Sequence, residues 1–229
     1  MHASLMRSPR PKAAFKVMLT ALIDYESGNL HSAQKAFERM AAELPNEEVI
    51  VTSDPEKLRR ADRLVLPGDG AFPACKVALV EKTGLYEALL EAVEIGAKPF
   101  LGICVGMQMM ASFGHEYQIT PGLDWIAGDI RPIEPTDPRL KVPHMGLNDL
   151  VITGAHPVLA GLKNGDHAYF VHSYHFVLKD KTQRLAHVEY DGEISAIVSA
   201  GTRIGMQFHP EKSQSIGLRL ISNFLNWRP

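Results

Sequence analysis

The stretch 98–114, KPFLGICVGMQMMASFG, constrains this chain more than any other part of it. An apolar run ends in Gly102-Ile103-Cys104-Val105-Gly106 and turns directly into a helix-like segment. Glycines two positions either side of the cysteine allow a sharp bend, because they carry no Cβ to strike a neighbouring strand or helix. The bend lifts the sulfur out of the sheet and sets it at the N-terminus of the following helix. That is the sulfur version of the Gly-x-Ser-x-Gly nucleophile elbow, which joins a sheet strand to a helix. Such an elbow asks for an α/β sheet around it and for a base supplied from elsewhere in the chain.

The surrounding sequence has the matching alternation of short apolar runs with amphipathic segments. VMLTALID (17–24), EVIVTS (48–53), RLVLPG (63–68) and KPFLGI read as strands. Residues 30–40 and 85–96 read as helices, the second closed by Gly96 as a C-terminal cap, and residues 105–113 as the helix after the elbow. Beyond about residue 120, proline and glycine become frequent, and HAYFVHS, RLAHVEY and ISAIVSAG follow one another as antiparallel strands appended to a parallel core. SIGLRLISNFLNW closes the chain as an amphipathic helix. The expected fold is therefore α/β and three-layered: a central, mostly parallel sheet with appended antiparallel strands and helices on both faces.

With 229 residues and 45% hydrophobic composition, the chain can bury a full core, and residues 17–229 are expected to form one domain. Residues 1–16 carry Arg7, Arg10, Lys12 and Lys16 and no acid, and lack the apolar core of a secretory signal; a flexible basic extension is expected. A net charge of −2 gives no basic field for nucleic acid, and no apolar run is long enough to span a bilayer. Two cysteines, Cys75 and Cys104, do not make a disulfide scaffold, and no CxxC pair suggests zinc. A reducing, cytoplasmic setting is expected. A metal site built on His172 and His175 lacks a carboxylate at ligand spacing, and neither a Walker loop nor GxGxxG is present, so no metal or cofactor is expected.

A cysteine nucleophile needs a base, and an imidazole beside a helix N-terminus favours the thiolate. One of the ten histidines stands apart: the apolar run Arg203-Ile204-Gly205-Met206-Gln207-Phe208 ends at His209, and Pro210 and Glu211 follow. In an extended segment, positions i and i+2 project to the same side. Glu211 can then orient His209 while His209 faces the sulfur, a Cys-His-Glu triad analogous in role to Ser-His-Asp. Pro210 ends the strand at the sheet rim, where α/β active sites lie. Oxyanion donors are expected from the backbone N–H of Val105 and from the glycine-rich loop 66–72, through Gly68, Asp69 and Gly70. Losing one such donor costs roughly 3–4 kcal/mol of transition-state stabilisation. Taken singly, a buried cysteine or a strand-ending histidine is more often structural; their combination with the glycine loop carries the reading. Cys75 has neither an elbow nor a nearby histidine and reads as filler.

GICVGMQ together with QFHPEKS resembles the class I (triad) glutamine amidotransferases. IDYESGNL (23–30), LPGDGAF (66–72), VPHMGLNDL (142–150) and YFVHSY (169–174) narrow the resemblance to glutaminase subunits of imidazole glycerol phosphate synthase, from about Val17 to the C-terminus. The resemblance implies a flavodoxin-like amidotransferase fold and hydrolysis of glutamine through a Cys104 thioester. It implies glutamine contacts at Gln108, Glu116, Ser173 and Tyr174, and ammonia transfer to a (β/α)8 barrel cyclase subunit. Asn29, Leu147 and Lys212 match partner-facing positions. Three residues depart from the family pattern. Asp69 stands where a small apolar residue is usual, and its carboxylate is expected to point away from the sulfur. Leu147 stands where tryptophan is usual, and Glu26 where glycine is common. The rival readings are a glutaminase serving pyridoxal phosphate, anthranilate or purine synthesis, a stand-alone γ-glutamyl hydrolase, and a catalytically silent scaffold.

Overall fold

A computed structural model describes residues 16–26 and 30–229. Asn29 and all of the basic extension before Lys16 lie outside the described residues. Five parallel strands lay down the centre of the molecule: β1 (Met18–Ile23), β2 (Glu47–Thr52), β3 (Arg63–Gly68), β4 (Phe100–Cys104) and β14 (Arg203–Met206). Every residue of β3 and β4 is buried. Strands covered on both faces read as continuous apolar runs, which is why these two were plain in the sequence.

The full sheet runs β2-β1-β3-β4-β14-β13-β12-β9, its last three strands being β13 (Glu193–Ala200), β12 (Arg184–Glu189) and β9 (Val151–Ile152). These three are joined antiparallel, as expected of RLAHVEY and ISAIVSAG. HAYFVHS departs from the expectation. It forms β10 (His167–His172), which pairs with β8 (His144–Asp149) in a separate two-stranded sheet. A third sheet, β11-β7-β5-β6, contains β5 (Ala111–Gly114), β6 (Thr120–Pro121), β7 (Ile126–Pro132) and β11 (Tyr174–Leu178).

Helix α1 (Leu30–Ala42) buries Ala33, Ala36, Phe37, Met40 and Ala41, an i, i+3, i+4, i+7, i+8 stripe. It packs on the terminal helix α6 (Gln214–Asn226). From β1 the chain steps outward to β2, then back across β1 to β3 and on to β4. Right-handed crossovers in opposite directions put their helices on opposite faces. So α2 (Pro55–Arg60), α3 (Phe72–Glu81) and α4 (Leu85–Leu90) cover the face away from α1 and α6. Helix α2, started by the Asp54 cap with Pro55 behind it, is too short for an apolar period to mark it in the sequence.

Two helix expectations are corrected. The helix after Cys104, α5, is only Val105–Gln108, and the chain then turns into β5. Met107, Met109, Met110 and Ala111 are all fully buried. An apolar run covered on every side has no polar stripe, so periodicity cannot tell a helix from a strand there. The 85–96 segment is α4 continued by a π-helical turn, Glu91–Ile95. Gly96 stays right-handed, and Ala97 takes the positive φ of 48°. Glycine is needed at 96 for space: a Cβ there lies 2.7 Å from the Ala92 carbonyl oxygen. No helix among the described residues is long and apolar enough to cross a membrane.

Candidate active site

Strands β3, β4 and β14 are neighbours and end at the same edge, with Gly68 paired to Cys104 and Met206 to Ile103. Their three continuations are the Asp69-Gly70 loop, the cysteine elbow and the His209 turn, so one sheet edge gathers them. Ligand sites of open α/β sheets lie at the carboxyl ends of strands for this reason.

Cys104 adopts φ 53° and ψ −112°, a backbone conformation that costs a non-glycine residue energy and is tolerated where neighbours hold it. The flanking glycines supply the hold by close approach. A Cβ on Gly106 lies 1.8 Å from the Leu66 carbonyl oxygen, and one on Gly102 lies 2.5 Å from the Gly106 carbonyl oxygen. A Cβ on Gly68 lies 2.8 Å from the Gly106 nitrogen, so the glycine loop rests directly on the elbow. Cys75 and Cys104 are both thiols.

His209 is 6% exposed. Its Nδ1 lies 2.8 Å from Glu211 Oε1, and the ring also hydrogen-bonds the Cys104 side chain. The expected pairing is present, but its geometric basis is different. Residues Pro210–Lys212 form a 3-10 turn, not extended strand, and the turn brings Glu211 back to the ring. Burial pulls the His209 imidazole down, but its bonds to Cys104 and Glu211 and their charges outweigh this and push it up to about 10. With α5 only one turn long, few peptide dipoles add at the sulfur, so His209 is the main cationic partner there. Strand β10 fixes the turn from behind. The His209 amide donates to Tyr169 O at 3.0 Å, and the Ser213 hydroxyl accepts from the Tyr169 amide at 2.9 Å while donating to His209 O.

A cleft of about 260 Å³ opens over the sulfur. Asp69, Gly70, Cys104, Val105, Gln108, Glu116, Ser173 and Tyr174 line it, with Pro143, Val171 and His172. Residues from the elbow, the glycine loop and the second and third sheets thus meet in one place. Glu116 does more there than line a wall: its carboxylate accepts from the Phe72 amide at 2.6 Å, capping α3 at the end of the glycine loop. A second, narrow gap of about 20 Å³ is bounded by Ala33, Pro67, Gly68, Asp69, Ile103, His209, Glu211 and Lys212. Asp69 is exposed and borders both spaces.

Lys212 is exposed beside the gap, and Leu147 is 54% exposed on β8 next to exposed Met145. Glu26 is exposed, pairs with Lys82, and holds a left-handed φ of 66°, a conformation that favours glycine. Two other features were not read from sequence. Gln207, fully buried and next after the last residue of β14, reaches toward the sulfur. His144 and His172 form a hydrogen-bonded pair, Nδ1 to Nε2, at 3.0 Å behind the cleft. Burial lowers His144 to about 4 and, with smaller opposing and reinforcing contributions from its neighbours, His172 to about 3, so both rings are neutral. A glutamine embedded in the apolar run before His209 was the one available signal.

A family model described as glutamine amidotransferase class-I matches residues 21–227. The imidazole glycerol phosphate synthase subunit HisH of Ruegeria pomeroyi is 64% identical over 212 residues, covering 93% of this chain and all of its own length. The proteins of the same name from Cereibacter sphaeroides and Bradyrhizobium diazoefficiens are 61% and 55% identical, again over 93% of this chain and 100% of theirs. Among solved structures, a glutamine amidotransferase superposes with a TM-score of 0.67 at 20% identity, covering 90% of this chain and 97% of that one. Another, from Thermotoga maritima, gives 0.61 at 16% identity over 86% and 77%. At such identities the structural likeness is one of fold, while the sequence relatives carry the family. The chain belongs to the class I glutamine amidotransferases and, among them, to the HisH subunits of imidazole glycerol phosphate synthase.

Proposed function

We propose that this chain hydrolyses glutamine to glutamate and ammonia and passes the ammonia to a (β/α)8 barrel cyclase subunit in histidine biosynthesis. The observation that carries the reading is His209, buried, bonded to both Cys104 and Glu211, and raised to about 10 between the narrow gap and the sulfur over which the cleft opens. An imidazole held so high keeps its proton, ready for a departing nitrogen.

The Cys104 thiolate attacks the side-chain amide carbon of glutamine. The new oxyanion is held by the Val105 amide and by backbone donors of the Gly68-Asp69-Gly70 loop. The His209 imidazolium gives its proton to the departing amide nitrogen, which leaves as ammonia. Once the sulfur is acylated its charge is gone, and one cause of the raised imidazole pKa goes with it. His209 can then take a proton from water, which attacks the thioester and releases glutamate. Glu211 holds the ring through both steps. Gln108, Glu116, Ser173 and Tyr174 orient the substrate in a cleft whose volume suits a single amino acid.

The narrow gap beyond His209 has room for one water-sized molecule, the size of ammonia. Lys212 at its rim and Leu147 on β8 are taken as cyclase-facing, as is Asn29, and the names of the relatives support a partner subunit. Because Lys212 adjoins Glu211, cyclase ligand binding can be felt at His209 and the oxyanion loop. The chain's two thiols suit a cytoplasmic home. Replacing Cys104 with Ala is expected to abolish glutamine hydrolysis while leaving cyclase binding intact, measured by a glutaminase assay and size-exclusion chromatography with the cyclase subunit. Retained hydrolysis sinks the triad assignment, and full turnover without the cyclase and its nucleotide ligand sinks partner gating.

A further inference from the structure

We propose that Gln207 is a further catalytic residue: its side-chain amide donates a hydrogen bond to the Cys104 sulfur, and Gln108 and the Tyr174 carbonyl fix the direction of that bond. The inference rests on Cys104 being the nucleophile and adds a second, uncharged donor to the sulfur beside His209.

The geometry is a chain of three hydrogen bonds through the protein interior. Gln207 is 0% exposed, and its Nε2 lies 3.8 Å from Cys104 Sγ. Its Oε1 accepts from Gln108 Nε2 at 3.1 Å. The same Gln108 nitrogen donates to the Tyr174 carbonyl oxygen, also at 3.1 Å. The two ends of a primary amide have nearly the same shape, so a buried glutamine can in principle present either to a neighbour. Here only one arrangement satisfies every group. The Tyr174 carbonyl can only accept, so Gln108 must turn its NH2 toward it. The second hydrogen of that NH2 then meets Gln207, which must offer oxygen. That leaves the Gln207 NH2 facing the sulfur and nothing else.

The histidine pair pins the carbonyl from the other side. His172 Nδ1 lies 2.8 Å from Tyr174 O, so it carries the proton there. Its Nε2 then accepts from His144 Nδ1 at 3.0 Å, and His144 Nε2 accepts from Asn148 Nδ2 at 3.2 Å. The Tyr174 carbonyl thus collects two donors, filling both lone pairs and leaving no room for Gln108 to swing. A hydrogen bond favours whichever protonation state accepts it more strongly, and a thiolate accepts far more strongly than a thiol. The donor therefore matters most before acylation, when the sulfur is charged, and little once the thioester has formed.

The test uses the whole chain, folded state checked by circular dichroism, and turnover measured with the cyclase subunit present. Gln207→Met keeps the volume and loses the donor; Gln207→Glu keeps the shape and puts an acceptor against the sulfur. The first readout is the alkylation rate of Cys104 by iodoacetamide at pH 7, with Cys104→Ser subtracting any reaction at Cys75. Gln207→Met is expected to slow alkylation and kcat together by about tenfold, with KM for glutamine within about twofold, and Gln207→Glu is expected to slow both further. A role in packing alone would not single out sulfur reactivity in this way. Should Gln207→Met fail to fold, Gln108→Met gives the same reading at one remove, because it frees the Gln207 amide to rotate and alkylation involves no glutamine. Wild-type alkylation rates in the folded variants overturn the inference. If instead Cys104 resists alkylation in the unaltered protein and Cys104→Ala still hydrolyses glutamine, the nucleophile reading itself has failed and this inference falls with it.

Discussion

At Cys104 two demands conflict, and the backbone carries the compromise. The sulfur must stand clear of the sheet, which forces a positive φ on a residue with a side chain. The strain is held by Gly102 and Gly106, packed too close to their neighbours for any Cβ. His209 shows the opposite case, a buried side chain whose charge is favoured because two partners outweigh desolvation. Its raised value includes contributions from Cys104, so Cys104→Ala is expected to move the imidazole titration downward from about 10, as followed by NMR. An unchanged titration would show that Glu211 alone holds the proton. At this scale the meeting of Cys104, His209 and Glu211 was legible in the sequence, because fixed spacing in one stretch marks each. The extended geometry that the spacing suggests for Glu211 is not the one the fold uses, since a 3-10 turn replaces the extended segment. Gln207 was not legible as a partner of Cys104, because 103 residues separate the two.

Among the elements, the outer strands show how a charge can be carried inside a sheet. Arg63 on β3 is fully buried and meets Glu47 on β2 across the intervening β1, Nη1 to Oε2 at 2.8 Å. Arg228, past the end of α6, reaches the same carboxylate at 3.0 Å. Burial raises the Glu47 carboxyl, and Arg228 offsets only part of that rise. Removing one member strands a buried guanidinium, so Glu47→Ala is expected to cost about 3–5 kcal/mol in denaturant unfolding. A loss under about 1 kcal/mol would mean that Arg63 finds water or another acceptor. Element identity was legible where burial differed between faces, as in α1, or was complete over a short β-rich run, as in β3. It failed for residues 109–113: Met109 and Met110, buried on all sides, carry no period and form a turn, and pairing with β7 makes a strand of the chain from Ala111.

For the molecule as a whole, buried histidines set its tolerance of acid. His144, His156, His172 and His175 are all lowered by burial, the two paired rings to about 4 and about 3. Their neutral forms belong to the folded state, while in the unfolded chain they take protons near pH 6.5. Stabilisation from all four is therefore present above pH 6.5 and declines as pH falls; for His144 and His172 the loss continues toward pH 4, each of these two adding a slope of up to about 1.4 kcal/mol per pH unit. His209, raised instead, contributes fully below pH 6.5 and so leaves that window flat. The lowered carboxylates Asp137, Asp180, Asp191 and Glu193 act only at lower pH. Urea unfolding measured from pH 7 to 4.5 is expected to show falling stability, and a flat profile would sink this reading.

The sequence by itself determined the chemistry and the layered core: a glycine-flanked cysteine, a His-x-Glu terminus, and apolar runs that had to become buried strands. These are local, since spacing along the backbone fixes what neighbouring side chains can do. Only the tertiary structure decided which strands stand side by side, and so which distant groups share a site. The adjacency of β3, β4 and β14 brings the glycine loop, Cys104 and His209 to one edge. The separate β8–β10 sheet carries His144 and His172 to the cleft, and Gln207 meets the sulfur through the same packing. Strand order is set by burial and crossover handedness summed over the whole chain, a quantity that no single stretch of residues contains.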